Sequence, residues 1–173
     1  MSRVIMFIAQ VGFRDEELFV PKAALEKAGH KVMVASINRA KATGSKGGSI
    51  MPDLSTHEAN PSFFDAVVVV GGPGTPTLWD NQDVISFLGK ANLLGKTISA
   101  ICLGPSVLAR AGVLVEKKAT VFPDGAAITS LKQNGVFYEP KSVVVDGRYI
   151  TANGPEAAAD FAHALIQALR YKN

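Results

Sequence analysis

The segment 66–70 (AVVVV) constrains the fold of this chain more than any other. Valine is β-branched and favours strands, and a strand that is apolar at every position is covered on both of its faces. Strands buried in this way are typical of the centre of a parallel sheet, where helices pack above and below. We therefore predict that residues 66–70 form a central strand between two helical layers.

Strand-like and helix-like segments alternate on either side of this run. The pattern is typical of a doubly wound α/β sandwich, in which a mainly parallel sheet lies between two helical layers. The 173 residues amount to one domain, and we see no repeat or linker, so we predict a single domain spanning residues 1–173. The predicted strands are 3–9, 31–36, 66–70 and 97–101, with hairpins at 41–50 and 143–151; the predicted helices are 15–28, 82–94, 124–134 and 155–171.

Ligands of such folds bind at the carboxyl ends of the strands. Three loops of this chain meet that condition: residues 10–17 after the first strand, residues 71–74 after the valine strand, and residues 102–104 after the strand at 97–101. We look for chemistry in these three loops.

Cys102, the only cysteine, lies where the apolar run 97–101 gives way to Leu103-Gly104-Pro105. Proline is tolerated in the first turn of a helix, so the thiol is predicted to lie on a strand-to-helix elbow. An elbow exposes the side chain above the sheet and directs backbone N–H groups at it, which lowers the pKa of a thiol and favours the nucleophilic thiolate. The alternative is a small, inert, buried side chain.

Three adjacent acids, Asp15, Glu16 and Glu17, open the first predicted helix. Acids are favoured at a helix N-terminus, so a solvated terminus without chemistry is the default interpretation. Successive helical residues point about 100° apart, however, and one acid can lean over the edge of the sheet. We choose Glu17 for that position, where a raised pKa would let it donate a hydrogen bond to the thiolate.

The turn Gly71-Gly72-Pro73-Gly74 is open to two interpretations. It is either a sharp turn only, or an oxyanion hole in which backbone N–H groups of Gly72 and Leu103, with Gly71 as a further backbone donor, converge on an oxygen bound to Cys102 or its substrate. The turn lacks the spacing of a dinucleotide fingerprint, and residues 44–47 do not form a phosphate-binding loop.

Composition excludes several function classes. A single cysteine permits no internal disulfide, which fits a reducing compartment, and no run is long enough for a membrane span. The net charge of +3 is scattered, which favours a solvated surface over a nucleic-acid site. We expect surface or capping roles for His30, His57 and His163, no metal and no cofactor, and a cytoplasmic protein without nucleic-acid or membrane partners.

Taken together, these residues resemble the DJ-1/PfpI superfamily from residue 4 to residue 169. The resemblance implies a flavodoxin-like, class I glutamine amidotransferase-like fold, a homodimer or higher homo-oligomer, a hydrogen bond between Glu17 and Cys102, and oxyanion donors in the Gly71-Gly72 turn. Members include intracellular proteases, deglycases, glyoxalases without an added cofactor, chaperones and oxidative-stress proteins. The segments that carry the resemblance are 13–21 (FRDEELFVP), 71–72 (GG), 100–105 (AICLGP), 143–147 (VVVDG) and 150–155 (ITANGP).

The chain also departs from this pattern. Protease-type members have a histidine directly after the cysteine, where this chain has Leu103, and an acid just after the Gly-Gly turn, where residues 73–77 contain none. Deglycase-type members have a histidine before a proline, where this chain has Phe122. We therefore expect action on small reactive carbonyls or their protein adducts, with a redox sensor or stress chaperone that uses Cys102 oxidation as the alternative. A cysteine protease is a second alternative, with poor activity because peptide hydrolysis needs a general acid.

Overall fold

The computed structural model of the chain describes residues 1–171, which form strands β1–β12 and helices α1–α6. The strands are β1 Arg3–Phe7, β2 Val11–Phe13, β3 Lys31–Ser36, β4 Ala42–Gly44, β5 Ser49–Ile50, β6 Leu54–Ser55, β7 Ala66–Val69, β8 Thr97–Ile101, β9 Lys118–Ala119, β10 Phe137–Tyr138, β11 Val143–Asp146 and β12 Tyr149–Ala152. The helices are α1 Asp15–Lys27, α2 Pro76–Trp79, α3 Gln82–Leu93, α4 Gly104–Arg110, α5 Gly125–Gln133 and α6 Ala158–Arg170.

Within the described residues, the main sheet has the strand order β11-β12-β8-β7-β1-β3-β6. Its neighbouring strands are parallel except for the edge hairpin of β11 and β12. The valine strand β7 lies between β1 and β8, which confirms the predicted central strand. Because these three strands are parallel neighbours, their carboxyl ends bring the three loops selected from the sequence to one edge of the sheet.

The two faces of the sheet support two separate apolar layers, as predicted for a doubly wound α/β sandwich. In β1, Ile5 and Phe7 point to one layer while Val4 and Met6 point to the other, because side chains alternate along a strand. The first layer contains buried residues of α3, α4 and α5, among them Leu88, Leu108 and Leu131. The second contains residues of α1 and α6, among them Leu18, Leu25, Phe161 and Leu165.

The sequence located the long elements well but not their ends or the short elements. The final helix was predicted over 155–171; the structure has a 3-10 turn at Pro155–Ala157 and then α6, which ends at Arg170. Strands β2, β6, β9 and β10 and helix α2 were not predicted, because an element of two to four residues is too short to show a period. None of the helices within residues 1–171 has the length and apolar character to cross a membrane.

Candidate active site

Cys102 lies between the end of β8 and the start of α4, at the elbow predicted from the sequence. Its φ of 62° falls in the left-handed region, which side chains other than glycine adopt only under strain. Gly104 permits the sharp entry into α4, since a Cβ there would lie 2.2 Å from the carbonyl oxygen of Val69. The thiol is held just above the sheet and is 6% exposed.

The Gly71-Gly72 turn packs directly against this elbow. A Cβ on Gly71 would lie 2.7 Å from the amide nitrogen of Leu103 and 2.8 Å from Cβ of Cys102, so only glycine allows this approach. Gly72 has a φ of 123° and lies just as close to the start of α1, where a Cβ would be 2.5 Å from the amide nitrogen of Arg14. The turn is therefore wedged between the nucleophile elbow and the first helix.

Glu17 is fully buried on the first turn of α1, and its negative charge raises the pKa of Cys102. Its Oε1 accepts a 3.0 Å hydrogen bond from the amide of Gly71. Its Oε2 has no hydrogen-bond partner among the described residues. The proton of a neutral Glu17 therefore belongs on Oε2, because Oε1 is occupied as an acceptor.

The backbone amides around the site serve two different side chains, those of Glu17 and Cys102. The amides of Leu103 and Gly72 lie close enough to the sulfur of Cys102 to lower the pKa of its thiol. Gly71, which we had grouped with them, does not serve the same end: its amide is bound to Glu17.

Burial governs the protonation of this pair. It raises the pKa of Glu17 to about 8, so Glu17 keeps its proton at neutral pH. Burial also raises the pKa of the Cys102 thiol, the charge of an ionised Glu17 raises it further, and the amides of Leu103 and Gly72 lower it. The net direction for the thiol is upward, which is opposite to the low pKa predicted from the elbow, because removal from water outweighs the two backbone hydrogen bonds.

The other two acids of α1 have structural partners. Asp15 accepts hydrogen bonds from the amides of Lys46 and Gly48, at 2.9 and 2.7 Å, and so fixes the glycine turn that follows β4. Glu16 pairs with the guanidinium of Arg14 at 2.7 Å, and this hydrogen bond lowers the pKa of Glu16. Of the three acids, only Glu17 is directed at the thiol.

Arg14 is a residue that the sequence analysis missed. Its amide donates a 2.9 Å hydrogen bond to the carbonyl of Gly71, and its charge acts on both Glu17 and Cys102. The only signal in the sequence was its position immediately before three acids. The guanidinium is the positive charge closest in sequence to the buried acid pair.

The family model described as the DJ-1/PfpI family matches residues 2–168. The chain belongs to the DJ-1/PfpI family. A Methanocaldococcus jannaschii protein whose name states no function is 43% identical over 99% of this chain and 84% of its own length. A deglycase of Pyrococcus horikoshii is 34% identical over 87% of this chain and 90% of its own. A glutathione-independent glyoxalase of Caenorhabditis elegans is 29% identical over 88% of this chain and 81% of its own length.

Solved structures of DJ-1/PfpI proteins have the same architecture. The ThiJ/PfpI domain protein of Brachyspira murdochii superposes with a TM-score of 0.94 at 32% identity, covering 99% of this chain and 98% of that chain. This agreement confirms the fold class predicted from the alternating strands and helices.

No histidine of this DJ-1/PfpI chain, within the part that the structure describes, contacts Cys102. The ring of His30 accepts a hydrogen bond from the amide of Ser2, and His163 contacts Gln167 on α6. His57 is exposed and lies 3.7 Å from Asp83. All three have the surface or capping positions expected from the sequence, and the described residues contain no cluster of side chains able to hold a metal ion.

Proposed function

We propose that this protein is a cysteine-dependent enzyme that acts on small reactive carbonyls or their protein adducts, as a glyoxalase or deglycase does. The observation that carries the proposal is the pairing of Cys102, on a strained elbow, with Glu17, a fully buried acid whose pKa of about 8 keeps it protonated at neutral pH. A nucleophile beside a proton donor is what addition to an aldehyde requires. The deglycase and glyoxalase among the relatives support this chemistry.

In the first step the Cys102 thiol loses its proton to solvent, and the thiolate attacks the aldehyde carbon of an α-oxoaldehyde. A sulfur–carbon bond forms, the electron pair of the C=O bond moves to oxygen, and that oxygen takes the proton from Oε2 of Glu17. The product is a hemithioacetal. The amides of Gly72 and Leu103 lower the pKa of the thiol in the free protein. In the first step they stabilise the negative charge as it moves from the sulfur to the oxygen of the adduct.

The second step moves a proton within the adduct. The Glu17 carboxylate removes the hydrogen of the former aldehyde carbon and returns a proton to the neighbouring ketone carbon. The hydroxyl proton of the first carbon moves to the ketone oxygen, so the first carbon is oxidised to a thioester while the second is reduced to an alcohol. Water then cleaves the thioester and releases a 2-hydroxy acid and the Cys102 thiol. The net reaction adds one water and needs neither cofactor nor metal. A protein adduct enters the same sequence once the thiol has displaced the amino or thiol group of that protein.

Conversion of methylglyoxal into lactate by purified protein tests the proposal. We expect turnover by the wild type and its loss in Cys102→Ser and Glu17→Gln. Glu26→Gln is the matched control, because Glu26 is an exposed acid of the same helix that pairs with Lys22. The proposal fails if the wild type forms no more lactate than Cys102→Ser.

A redox role for Cys102 is the second candidate, and one observation favours it. The two amides at the sulfur and the unpartnered Oε2 of Glu17 are donors that a sulfinate would accept. Two equivalents of peroxide would oxidise the thiolate to the sulfinate and release two waters. Mass spectrometry after stoichiometric peroxide would detect the two added oxygens. Accumulation of this form in a protein without aldehyde turnover would favour the sensor or stress chaperone over the enzyme.

The setting of this activity is also part of the proposal. We infer a cytoplasmic protein, because its one thiol must stay reduced to react. We also infer a homo-oligomer, on the basis of the family resemblance. Size-exclusion chromatography with light scattering would measure the number of subunits.

A further inference from the structure

A groove of about 450 Å³ begins beside the candidate active site and runs between α2, α4 and the length of α5. We call it the α4–α5 groove. Its lining includes Leu103 and Phe122, and its apolar surface is extended by Pro76, Trp79, Ala126 and Ala127. Leu103 and Phe122 are the two positions where the sequence analysis expected a histidine from the family pattern and found an apolar side chain.

Both of these residues are joined to the nucleophile through the backbone. Leu103 directly follows Cys102, and its amide lowers the pKa of the thiol. Phe122 donates its amide to the carbonyl oxygen of Cys102 at 2.8 Å, and its side chain is 40% exposed. Two residues of the groove lining are therefore held directly against the backbone of Cys102.

Two polar side chains of the groove, those of Ser106 and Asp124, are paired within the protein. Ser106 donates to the carbonyl of Leu103 and accepts from the indole N–H of Trp79. Asp124 caps α5 by accepting the amide of Ala127 at 3.0 Å. These groups have few free hydrogen-bonding positions for a polar ligand.

The far end of the groove is closed by a cation that is also paired. The guanidinium of Arg110 stacks over the ring of Trp79, 4.9 Å from its centre, and contacts Asp80 at 3.3 Å. Asn134 donates its side-chain amide to the carbonyl of Ser130 at 2.7 Å. Apart from Ser130 and Gln133, the unsatisfied surface of the groove is aliphatic and aromatic, so burial of an apolar group there is favourable.

We propose that the α4–α5 groove binds the apolar substituent of the carbonyl substrate, so that the site prefers α-oxoaldehydes with an aromatic or large aliphatic group over methylglyoxal. This inference rests on the proposed function for its chemistry, but the groove acts on any reagent that approaches Cys102. An apolar substituent that fits a pocket is worth about 10- to 200-fold in discrimination for each group accommodated.

The first experiment measures alkylation of Cys102 and needs no turnover. The rate constants for N-benzyliodoacetamide and for iodoacetamide are measured with the protein and with glutathione as a free thiol. For each thiol, the rate constant with N-benzyliodoacetamide is divided by the rate constant with iodoacetamide. We expect this ratio to be about tenfold or more higher for the protein than for glutathione. Equal ratios for protein and glutathione would overturn the proposal.

A filled groove provides the matched comparison. Ala126 is an exposed residue that lines the groove, at the second position of α5, and Ala126→Leu places a larger side chain there. Ala159 is exposed at the second position of α6, outside the lining, so Ala159→Leu is the control. We expect Ala126→Leu to abolish the preference for the benzyl reagent and Ala159→Leu to retain it, with iodoacetamide rates unchanged in both. Loss of the preference in both variants, or in neither, would contradict the proposal.

The second experiment compares kcat/KM for phenylglyoxal with kcat/KM for methylglyoxal. We expect a preference for phenylglyoxal that Ala126→Leu removes. If no aldehyde is turned over while the alkylation preference holds, the proposed function fails and the groove assignment stands. If Ala126→Leu instead changes the oligomeric state and leaves the alkylation ratio untouched, the groove is a subunit interface and the assignment is overturned.

Discussion

The amide of Gly71 donates a 3.0 Å hydrogen bond to Oε1 of Glu17, although the two residues are 54 positions apart in the chain. This bond connects the turn after the central strand to the first helix, and it occupies one oxygen of a fully buried carboxyl group. The other oxygen is left to the thiol of Cys102. Substitutions at position 17 therefore change whether the side chain carries a proton that it can donate toward the thiol.

Substitutions of Glu17 should separate the effect of its proton from that of its charge. Below pH 8 the carboxyl is neutral, and Glu17→Gln keeps a donor whereas Glu17→Leu does not. A hydrogen bond to a charged group is worth about 1.5–3 kcal/mol, or about one to two units of thiol pKa. We expect alkylation of Cys102 at pH 6–7 to be similar in wild type and Glu17→Gln and slower in Glu17→Leu.

Above pH 8 the order of the rates should change. The ionised carboxyl of the wild type raises the pKa of the Cys102 thiol, and Glu17→Gln removes that charge. Alkylation of Glu17→Gln at pH 9 should therefore exceed that of the wild type. Identical pH profiles for wild type and Glu17→Leu would mean that Glu17 does not act on the thiol.

The buried acid also predicts how stability depends on pH. The pKa of Glu17 is about 8 in the folded protein, above its value in the unfolded chain. Its contribution to stability is therefore fully present below the unfolded pKa and is lost as pH rises toward 8, because the unfolded state releases the proton first. The slope is about 1.4 kcal/mol per pH unit. Denaturant unfolding between pH 5 and pH 8 should show this decrease in the wild type, relative to Glu17→Gln.

The two central site residues could be predicted from sequence because each depends on local pattern. Cys102 follows an apolar strand and precedes a proline that starts a helix, and Glu17 lies on the first turn of a helix that follows a strand. Arg14 could not be predicted, because its importance comes from packing against Gly71 and Gly72. The α4–α5 groove could not be predicted either, since its lining comes from several separate segments of the chain.

The pKa of the Cys102 thiol is raised, whereas the sequence predicted that it would be lowered. The sequence indicated the amides that lower the pKa of Cys102, and the structure places the amides of Leu103 and Gly72 at the sulfur. The sequence did not indicate how completely the surrounding layers remove the thiol from water. The burial of Cys102 depends on the packing of every neighbouring element, so it cannot be predicted from a local sequence motif.

Gly72→Ala should destabilise the protein and disturb the site. The backbone at Gly72 has a φ of 123°, and a Cβ would lie 2.5 Å from backbone atoms of Arg14 and Gly12. Left-handed backbone alone costs a residue with a side chain roughly 1–2 kcal/mol, and the clash adds to it. We expect a lower free energy of unfolding and slower alkylation of Cys102.

Gly89→Ala is the control for that substitution. Gly89 lies within α3, and a Cβ there would have no heavy atom within 4 Å. Alanine is favoured over glycine inside a helix by about 1 kcal/mol, so this variant should be neutral or more stable. A stable Gly72→Ala with normal alkylation would show that the turn has more space than the structure gives it.

Peptide hydrolysis should remain near background. Leu103 can neither accept the thiol proton nor protonate a leaving amine, and the three histidines have other positions. General acid–base assistance is worth about 10² to 10⁴ in rate. The assay is hydrolysis of unfolded casein by wild type and Cys102→Ala. Robust cleavage that disappears in Cys102→Ala would reveal a base supplied from outside this subunit.

The backbone of Cys102 is tied to two separate segments: its amide donates to the carbonyl of Ala152, and its carbonyl accepts the amide of Phe122, each at 2.8 Å. The backbone at Cys102 is thus held by hydrogen bonds from two sides. Local opening should leave its position unchanged, and its amide hydrogen should exchange with solvent only when the sheet itself comes apart. If the proposed function holds, we expect the elbow at Cys102 to keep its position while the side chains around it adapt to different substrates.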